Sequence, residues 1–574
     1  MPPNTPPSVN DLYQRALTLL KRGQFDAADD GLLAVLKARP RTPEASYQLG
    51  ILYARTGRLP QAAAALSKAL TAKPNEGAIW QVMGDVLARW GDPSTAKATR
   101  RLLNKAKLPP PLRKRLVALC DTAAKTPPAL AQINALIALE DHAGALTKAE
   151  AAMAGKDADP RIALTGAHAA NLCGQRQRAM DLLDRGIALD ADSIPLRSER
   201  AALLQEDGQF EDARADLLHL TRTHPAHGQA YLSYAQATKF ATGDPLIAQM
   251  ETALARPDLS DPDRITLGFA LSKAMEDSGQ TARVFDYLAP ANAALRAAHP
   301  YDVSTRLDEV AGLKASFVST DFAAPLSGAD SDLAPIFITG LPRSGTTLVE
   351  QILTCRKGVE AGGETAAFLP AVYQRLFRSD GSIRPLQQIP QRELLAMVPA
   401  FEQALEKKGV TTRLFTDKSI QTHLVLGIAR LILPKAKLIV VRRDPRDMLL
   451  SIYKNMFRPG THGYSTDLGD LAAYYGSFVE ILDFWRDKMP GGFHEVWYED
   501  LVSNPEEETR KLVAAAGFDW DDAFLSPHKN TRTVKTLSIG QVRQPIHQGS
   551  KQAWRRYETE LQPLIEALGD LVER

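Results

Sequence analysis

The sequence predicts a chain in two parts: an all-α array of stacked helix pairs, then an α/β domain built on a parallel sheet. Three observations carry this. Residues in the first half recur at a step of 34. From about Asp332, short β-branched runs alternate with helical stretches. One such run, Ile336–Ile338, leads into Gly340-Leu341-Pro342-Arg343-Ser344-Gly345, a phosphate-loop spacing that closes on Thr346 and Thr347.

The repeats come first. Gly23, Gly57 and Gly91 share the 34-residue step, as do Ala16, Gly50 and Gly84, and Pro40 with Pro74. That period is the tetratricopeptide (TPR) signature and predicts a helical superhelix. The second repeat fits best, with Leu49, Gly50, Tyr53, Ala62, Leu66, Ala69 and Pro74; the third offers Trp80, Gly84, Leu87 and Ala96. Small residues at Gly50 and Ala62 let two helices approach, and Pro74 stops the second. A repeat cannot cover its own apolar face, so neighbours must stack. The period slips at Leu108-Pro109-Pro110-Pro111 and resumes with Ala145, Ala179 and Ala213, and with Gly174 and Gly208. From about Gln229 to Phe322 the pattern stays helical but loses the repeat.

Composition bounds the function. At 574 residues the chain exceeds one ordinary domain, and 44% hydrophobic with 24% charged residues is globular. A net charge of +2 argues against a general polyanion binder, so no nucleic-acid partner is expected. Cys120, Cys173 and Cys355 have no metal-ligand spacing and read as reduced thiols of a cytoplasmic protein. Pro2–Pro7 lies in a stretch without the basic and apolar regions of a signal peptide, and reads as a short disordered leader. No apolar run approaches the roughly 18 residues of a membrane span.

In the second half, Leu438–Val441 and His494–Tyr498 are further strand candidates beside Ile336–Ile338, and Thr346–Thr354 a helix. Backbone N–H groups of the loop and the helix N-terminus converge on one spot, which favours an anion. A nucleotide triphosphatase would carry Lys where Thr346 stands. Without it the bound group must carry less charge or be met by another cation, and Arg343 is one.

The stretch Pro342–Thr347 resembles the 5′-phosphosulfate loop of sulfotransferases, enzymes that use 3′-phosphoadenosine 5′-phosphosulfate (PAPS) and no metal. Two further segments extend the resemblance. Arg443 follows a strand, with Ser451 eight residues on; in the family such an Arg and Ser hold the 3′-phosphate, which suits a planar fork of donors and a hydroxyl. Gly362-Gly363-Glu364-Thr365 resembles the G-E-E-T segment of protein-tyrosine sulfotransferases, which implies that Glu364 is the general base. By the same resemblance Lys418, in Thr416–Ser419, would stabilise the moving sulfuryl group. Ser538, in Ser538–Pro545, takes the catalytic Ser, and Tyr498 and Lys551 contact the nucleotide. Arg343, Ser344, Gly345, Thr346 and Thr347 would hold the 5′-phosphosulfate.

Competing readings are structural. Glu364 could cap the helix after it, Lys418 could be an exposed lysine at a strand end, and Ser538 could be inert. Asp444 could end a Walker-B-like strand. His423, five residues after Lys418, is a rival base, but a helix-surface histidine is the plainer reading.

The resemblance covers about residues 334–560, and the whole chain resembles bacterial proteins that fuse TPR repeats to such a domain. The expected organisation is a leader (1–8), TPR repeats (9–110), further degenerate repeats with a cap (111–322), a linker (323–333) and the sulfotransferase domain (334–574). The implied reaction is PAPS-dependent sulfuryl transfer to an acceptor hydroxyl, first of all a protein or peptide tyrosine held by the TPR groove. Ala366 and Ala367 stand where the tyrosylprotein enzymes place basic residues, so small-molecule, sugar and lipid hydroxyls stay open as acceptors, as does a homodimer. A TPR scaffold with an inactive domain and a P-loop kinase are the rival classes.

Overall fold

A computed structural model describes residues 8–21, 24–156, 158–378, 380–458, 460–529 and 551–572. Residues 1–7 of the predicted leader, Gly23 and the segment that carries Ser538 lie outside the described residues. The chain divides into two compact units, 1–203 and 204–574.

The first unit is helical. Its helices Val9–Lys21, Phe25–Ala38, Pro43–Arg55, Leu59–Ala72, Gly77–Trp90 and Pro93–Leu103 alternate as the 34-residue period requires. Gly50 is where the period matters most: a Cβ there would come 2.5 Å from Leu66 Cδ2. The helix before Pro74 ends at Ala72, and the Pro74 carbonyl accepts from Trp80 Nε1 at 2.7 Å. The slip at Leu108–Pro111 has a structural counterpart. Helix Pro110–Ala123 is followed by Pro128–Ala138 and His142–Ala154, so one helix stands outside the two-helix beat. The hydrophobic core parts there too, one cluster running to Ala123 and the next beginning at Leu130.

The second unit is built on five strands: β1 (Ala334–Thr339), β2 (Glu360–Ala361), β3 (Leu414–Asp417), β4 (Lys437–Arg442) and β5 (His494–Trp497). Their order is β2-β3-β1-β4-β5 and every pairing is parallel. Alternation along the strands sends side chains to opposite faces. Ile336, Ile338, Ile439 and Val441 join one core, against helices Thr346–Leu353 and Pro505–Ala515. Phe337, Leu438 and Val440 join a larger one.

That larger core begins at Tyr231. The helices from Gly228 to Phe317, where the sequence stays helical but loses the repeat, share it with residues of the sheet. Phe322, just beyond them, meets Trp485 edge to face at 5.3 Å. Their apolar faces are covered by one another and by helices around the sheet, so no repeat period is needed there. Among the described residues no helix is long and apolar enough to cross a membrane, and none of the three cysteines is in a disulfide.

Candidate active site

A parallel sheet points all its strand C-termini one way, so the segments that follow the strands gather at one edge. Here each of the five carries a predicted site residue. Glu364 follows β2, Arg343 lies in the loop after β1, Lys418 follows β3, Arg443 follows β4 and Tyr498 follows β5. The strand order sets Glu364 and Lys418 on one flank of β1, and Arg443, Ser451 and Tyr498 on the other.

The central loop is tightly specified. A Cβ on Gly340 would come 2.5 Å from the Val441 carbonyl oxygen. Gly345, at φ +107°, has the Tyr498 ring so close that a Cβ would come 2.7 Å from it. Arg343 adopts φ +66°, a strained conformation for a side-chain-bearing residue that is typical of functional loops. Thr346 and Thr347 open the helix, both buried. Ser344 Oγ is buried without a hydrogen-bond partner among the described residues.

On the β4 flank, Arg343 Nε donates to Ser451 Oγ at 3.0 Å. Arg443, itself buried, donates to the Arg343 carbonyl at 2.9 Å and lies 4.7 Å over the Tyr498 ring. Burial, then the neighbouring Arg443 charge, pushes the Arg343 guanidinium down to about 10. Two arginines are thus held side by side, which an anion between them would relieve. Asp444 caps its own helix by accepting from Arg446 N at 2.9 Å and pairs with the Arg446 side chain, so it is an N-cap rather than a Walker-B carboxylate. Lys551 donates to Ser503 Oγ at 2.7 Å, and its neighbours are tied down: Gln552 N and Trp554 N donate to the Asp447 carboxylate at 2.6 and 2.9 Å. Asp447 lies one helical turn before Ser451, so this segment reaches the same flank.

On the β3 flank, Lys418 Nζ donates to Glu364 Oε1 at 2.7 Å. Lys418 is buried, not an exposed strand-end lysine. Helix Phe368–Leu376 has no side-chain cap, so Glu364 does not cap it. The rival base is corrected as well. His423 is buried, not on a helix surface. Its Nδ1 meets the Ile420 carbonyl at 2.7 Å and its Nε2 meets Arg306 at 2.9 Å. Burial, then the Arg306 charge, lowers its pKa to about 3, so it stays neutral with both nitrogens engaged.

Two carboxylates that sequence reasoning passed over hold this flank together. Glu350, on the loop helix, accepts from Gly363 N at 3.1 Å and from Thr416 Oγ1 at 2.9 Å. Burial raises its pKa against the opposing pull of Lys418. Asp417 accepts from Thr365 Oγ1 at 2.6 Å and from Ser419 N at 3.0 Å. Lys418 N donates to the Gly363 carbonyl at 2.7 Å. The signal for Glu350 is its setting: a carboxylate between Val349 and Ile352 in a short apolar helix needs buried partners.

Residues 335–522 match the sulfotransferase family model and residues 13–77 a tetratricopeptide repeat model. An uncharacterised protein of Aquifex aeolicus is 27% identical over 400 residues, covering 68% of this chain and 52% of that one; the chain thus spans about half that relative's length. A putative protein-tyrosine sulfotransferase of Caenorhabditis briggsae is 28% identical over 228 residues, 38% of this chain and 80% of that one. The solved sulfotransferase domain of the Synechococcus PCC 7002 olefin synthase aligns with 44% of this chain and 97% of its own, at 21% identity and a TM-score of 0.28.

Proposed function

We propose that this chain, which joins tetratricopeptide repeats to a sulfotransferase-family domain, transfers the sulfuryl group of PAPS to an acceptor hydroxyl, and that this hydroxyl is a protein or peptide tyrosine. One observation carries the reading. A phosphate loop without its lysine carries Arg343 against the neighbouring Arg443 on one flank and has a Lys–Glu pair on the other. The names of distant relatives, such as the nematode protein at 28% identity, support the tyrosine.

The residues fit such a donor. Ser344 Oγ lacks a partner inside the loop, and the glycine backbone there leaves no room for a side chain. Ser344–Thr347 would hold the 5′-phosphosulfate, and Arg443, Ser451, Tyr498 and Lys551 the adenosine 3′-phosphate portion. Ser538 is kept as a further candidate by resemblance. In the transfer the acceptor oxygen forms a bond to sulfur. The bond from sulfur to the 5′-phosphate oxygen breaks, and its electron pair leaves with adenosine 3′,5′-bisphosphate. Glu364 takes the hydroxyl proton. Lys418 and Arg343 meet charge on the sulfuryl and leaving oxygens. Positioning and charge supply the catalysis, as in phosphoryl transfer. The TPR repeats would raise the local concentration of a protein acceptor, and the reduced cysteines suit a cytoplasmic setting.

The test is calorimetric titration with adenosine 3′,5′-bisphosphate, without metal, on the wild type and Arg443→Ala. Micromolar binding that weakens at least tenfold in the variant is expected. Binding of ATP with Mg²⁺ only, or of neither nucleotide, would sink the reading in favour of a kinase or a scaffold.

A further inference from the structure

Ser451 sits in the last turn of helix Pro445–Tyr453. The last four carbonyls of an α-helix have no partner within it, so a side chain there is only as well placed as the groups that meet them. Here all four are met. Leu450 O accepts from Lys454 N at 3.0 Å, Ile452 O from Asn455 N at 3.1 Å and Ser451 O from Asn455 Nδ2 at 2.6 Å. The fourth partner is remote in sequence: Asn292 Nδ2 donates to Tyr453 O at 3.1 Å.

Asn292 belongs to helix Val284–Ala298 and lies on the stripe that buries Leu288 and Leu295. It is 1% exposed. A polar side chain at such a position costs stability unless its groups are bonded. Its amide also donates to Leu288 O in its own helix, at 3.2 Å, so the bond to Tyr453 O is the one that reaches another element. Phe285 of the same helix stacks on Tyr453, with centroids 6.0 Å apart and rings 22° from parallel.

A second hold comes from helix Asp261–Asp277. Lys454 keeps helical backbone angles, which places it one turn beyond Ser451 on the same side. Its Nζ lies 2.6 Å from each oxygen of the Glu276 carboxylate and 5.6 Å from the centre of the Tyr557 ring. A cation is favoured at a helix C-terminus, and the carboxylate fixes where it stands. Both helices precede residues 335–522, the part of the chain that matches the sulfotransferase family. The turn they hold meets the loop after β1 as well, because Ser451 Oγ accepts from Arg343 Nε at 3.0 Å.

We propose that Asn292 and the Glu276–Lys454 pair are positioning residues of the donor site. They hold the turn that presents Ser451, so recognition of the 3′-phosphate depends on two helices outside the family match. This rests on the sulfotransferase reading above. A hydroxyl's hydrogen bond weakens steeply with distance and angle, so a turn that shifts takes Ser451 Oγ off the 3′-phosphate. The loop amides that would hold the 5′-phosphate belong to another element and stay where they are.

The test titrates the full chain with adenosine 3′,5′-bisphosphate and with adenosine 5′-monophosphate, which lacks only the 3′-phosphate. The proteins are the wild type, Asn292→Leu, and the double change Glu276→Gln with Lys454→Gln. Neither variant alters net charge, so a loss of anion affinity is not a charge effect. The wild type should bind the bisphosphate at least tenfold more tightly than the monophosphate. Each variant should weaken the bisphosphate at least fivefold and hold the monophosphate within twofold. An equal loss for both nucleotides, which a merely structural role would give, or an unchanged bisphosphate affinity in either variant would overturn the proposal. If Asn292→Leu leaves no folded protein, the double change decides alone. A wild type that does not bind the bisphosphate, or binds it no better than the monophosphate, would instead sink the sulfotransferase reading and this proposal with it, and the wild-type titration reports that first.

Discussion

Lys418 Nζ lies 2.7 Å from Glu364 Oε1, yet the lysine side chain is 4% exposed and the glutamate 55%. The cation is thus enclosed and its partner open to whatever enters from outside. A base that must take a proton from an incoming hydroxyl needs that accessibility, and a group that meets charge on a buried sulfuryl needs the enclosure.

Removing either member of the pair should therefore damage turnover more than nucleotide binding. Lys418→Met and Glu364→Gln are each expected to lower kcat by about 10²–10³, with the affinity for adenosine 3′,5′-bisphosphate held within threefold. Steady-state kinetics beside calorimetry checks this. A parallel tenfold loss of nucleotide affinity would place Lys418 in the nucleotide site instead.

Glu350 holds Gly363 and Thr416 from the loop helix. Glu350→Ala leaves an amide and a hydroxyl without their shared acceptor, and should destabilise the unit by about 1–3 kcal/mol. Glu350→Gln keeps an acceptor oxygen and should recover most of that stability in urea unfolding. If both variants unfold like the wild type, the carboxylate does not position this flank.

Gly345→Ala tests the loop. Its φ of +107° and the Tyr498 ring both exclude a Cβ. Nucleotide binding should fall at least tenfold, and Tyr498→Ala should not restore it, because the backbone conformation stays forbidden. Restoration would show that ring contact alone demands the glycine.

The buried His423 makes stability depend on acidity. Its folded pKa of about 3 lies below the unfolded value near 6.5. The stability it contributes is fully present above pH 6.5 and is lost as pH falls toward 3. Between pH 7 and 5 the wild type should lose about 2 kcal/mol more than His423→Gln. Denaturant midpoints at the two values decide it, and equal losses would mean the imidazole takes its proton while folded.

In the first unit, Gly50→Leu drives a side chain into Leu66. It should destabilise the repeats by about 1–3 kcal/mol and leave nucleotide affinity unchanged. A thermal scan and the same calorimetry separate the two effects.

Periodicity and loop spacing depend on neighbours in sequence, so the sequence by itself determined much of this. The 34-residue step marked the helix pairs, and the slip at Leu108–Pro111 marked the odd helix. The glycine spacing marked the loop after β1, because close backbone approach and positive φ leave few other residues possible. Strand Glu360–Ala361 went unread, and Leu414–Asp417 entered only as a strand end before Lys418: the first is two residues long, and neither alternates over enough positions to show a period. Only the tertiary structure decided which candidates stand together. Pairing β3 and β4 to either side of β1 separates Lys418 and Glu364 from Arg443 and Ser451, and strand order is a long-range choice that no local pattern encodes. The same holds for His423, whose burial depends on Arg306, 117 residues away. It holds too for the helices up to Phe317, whose apolar faces meet helices around the sheet where a further repeat would otherwise have to cover them.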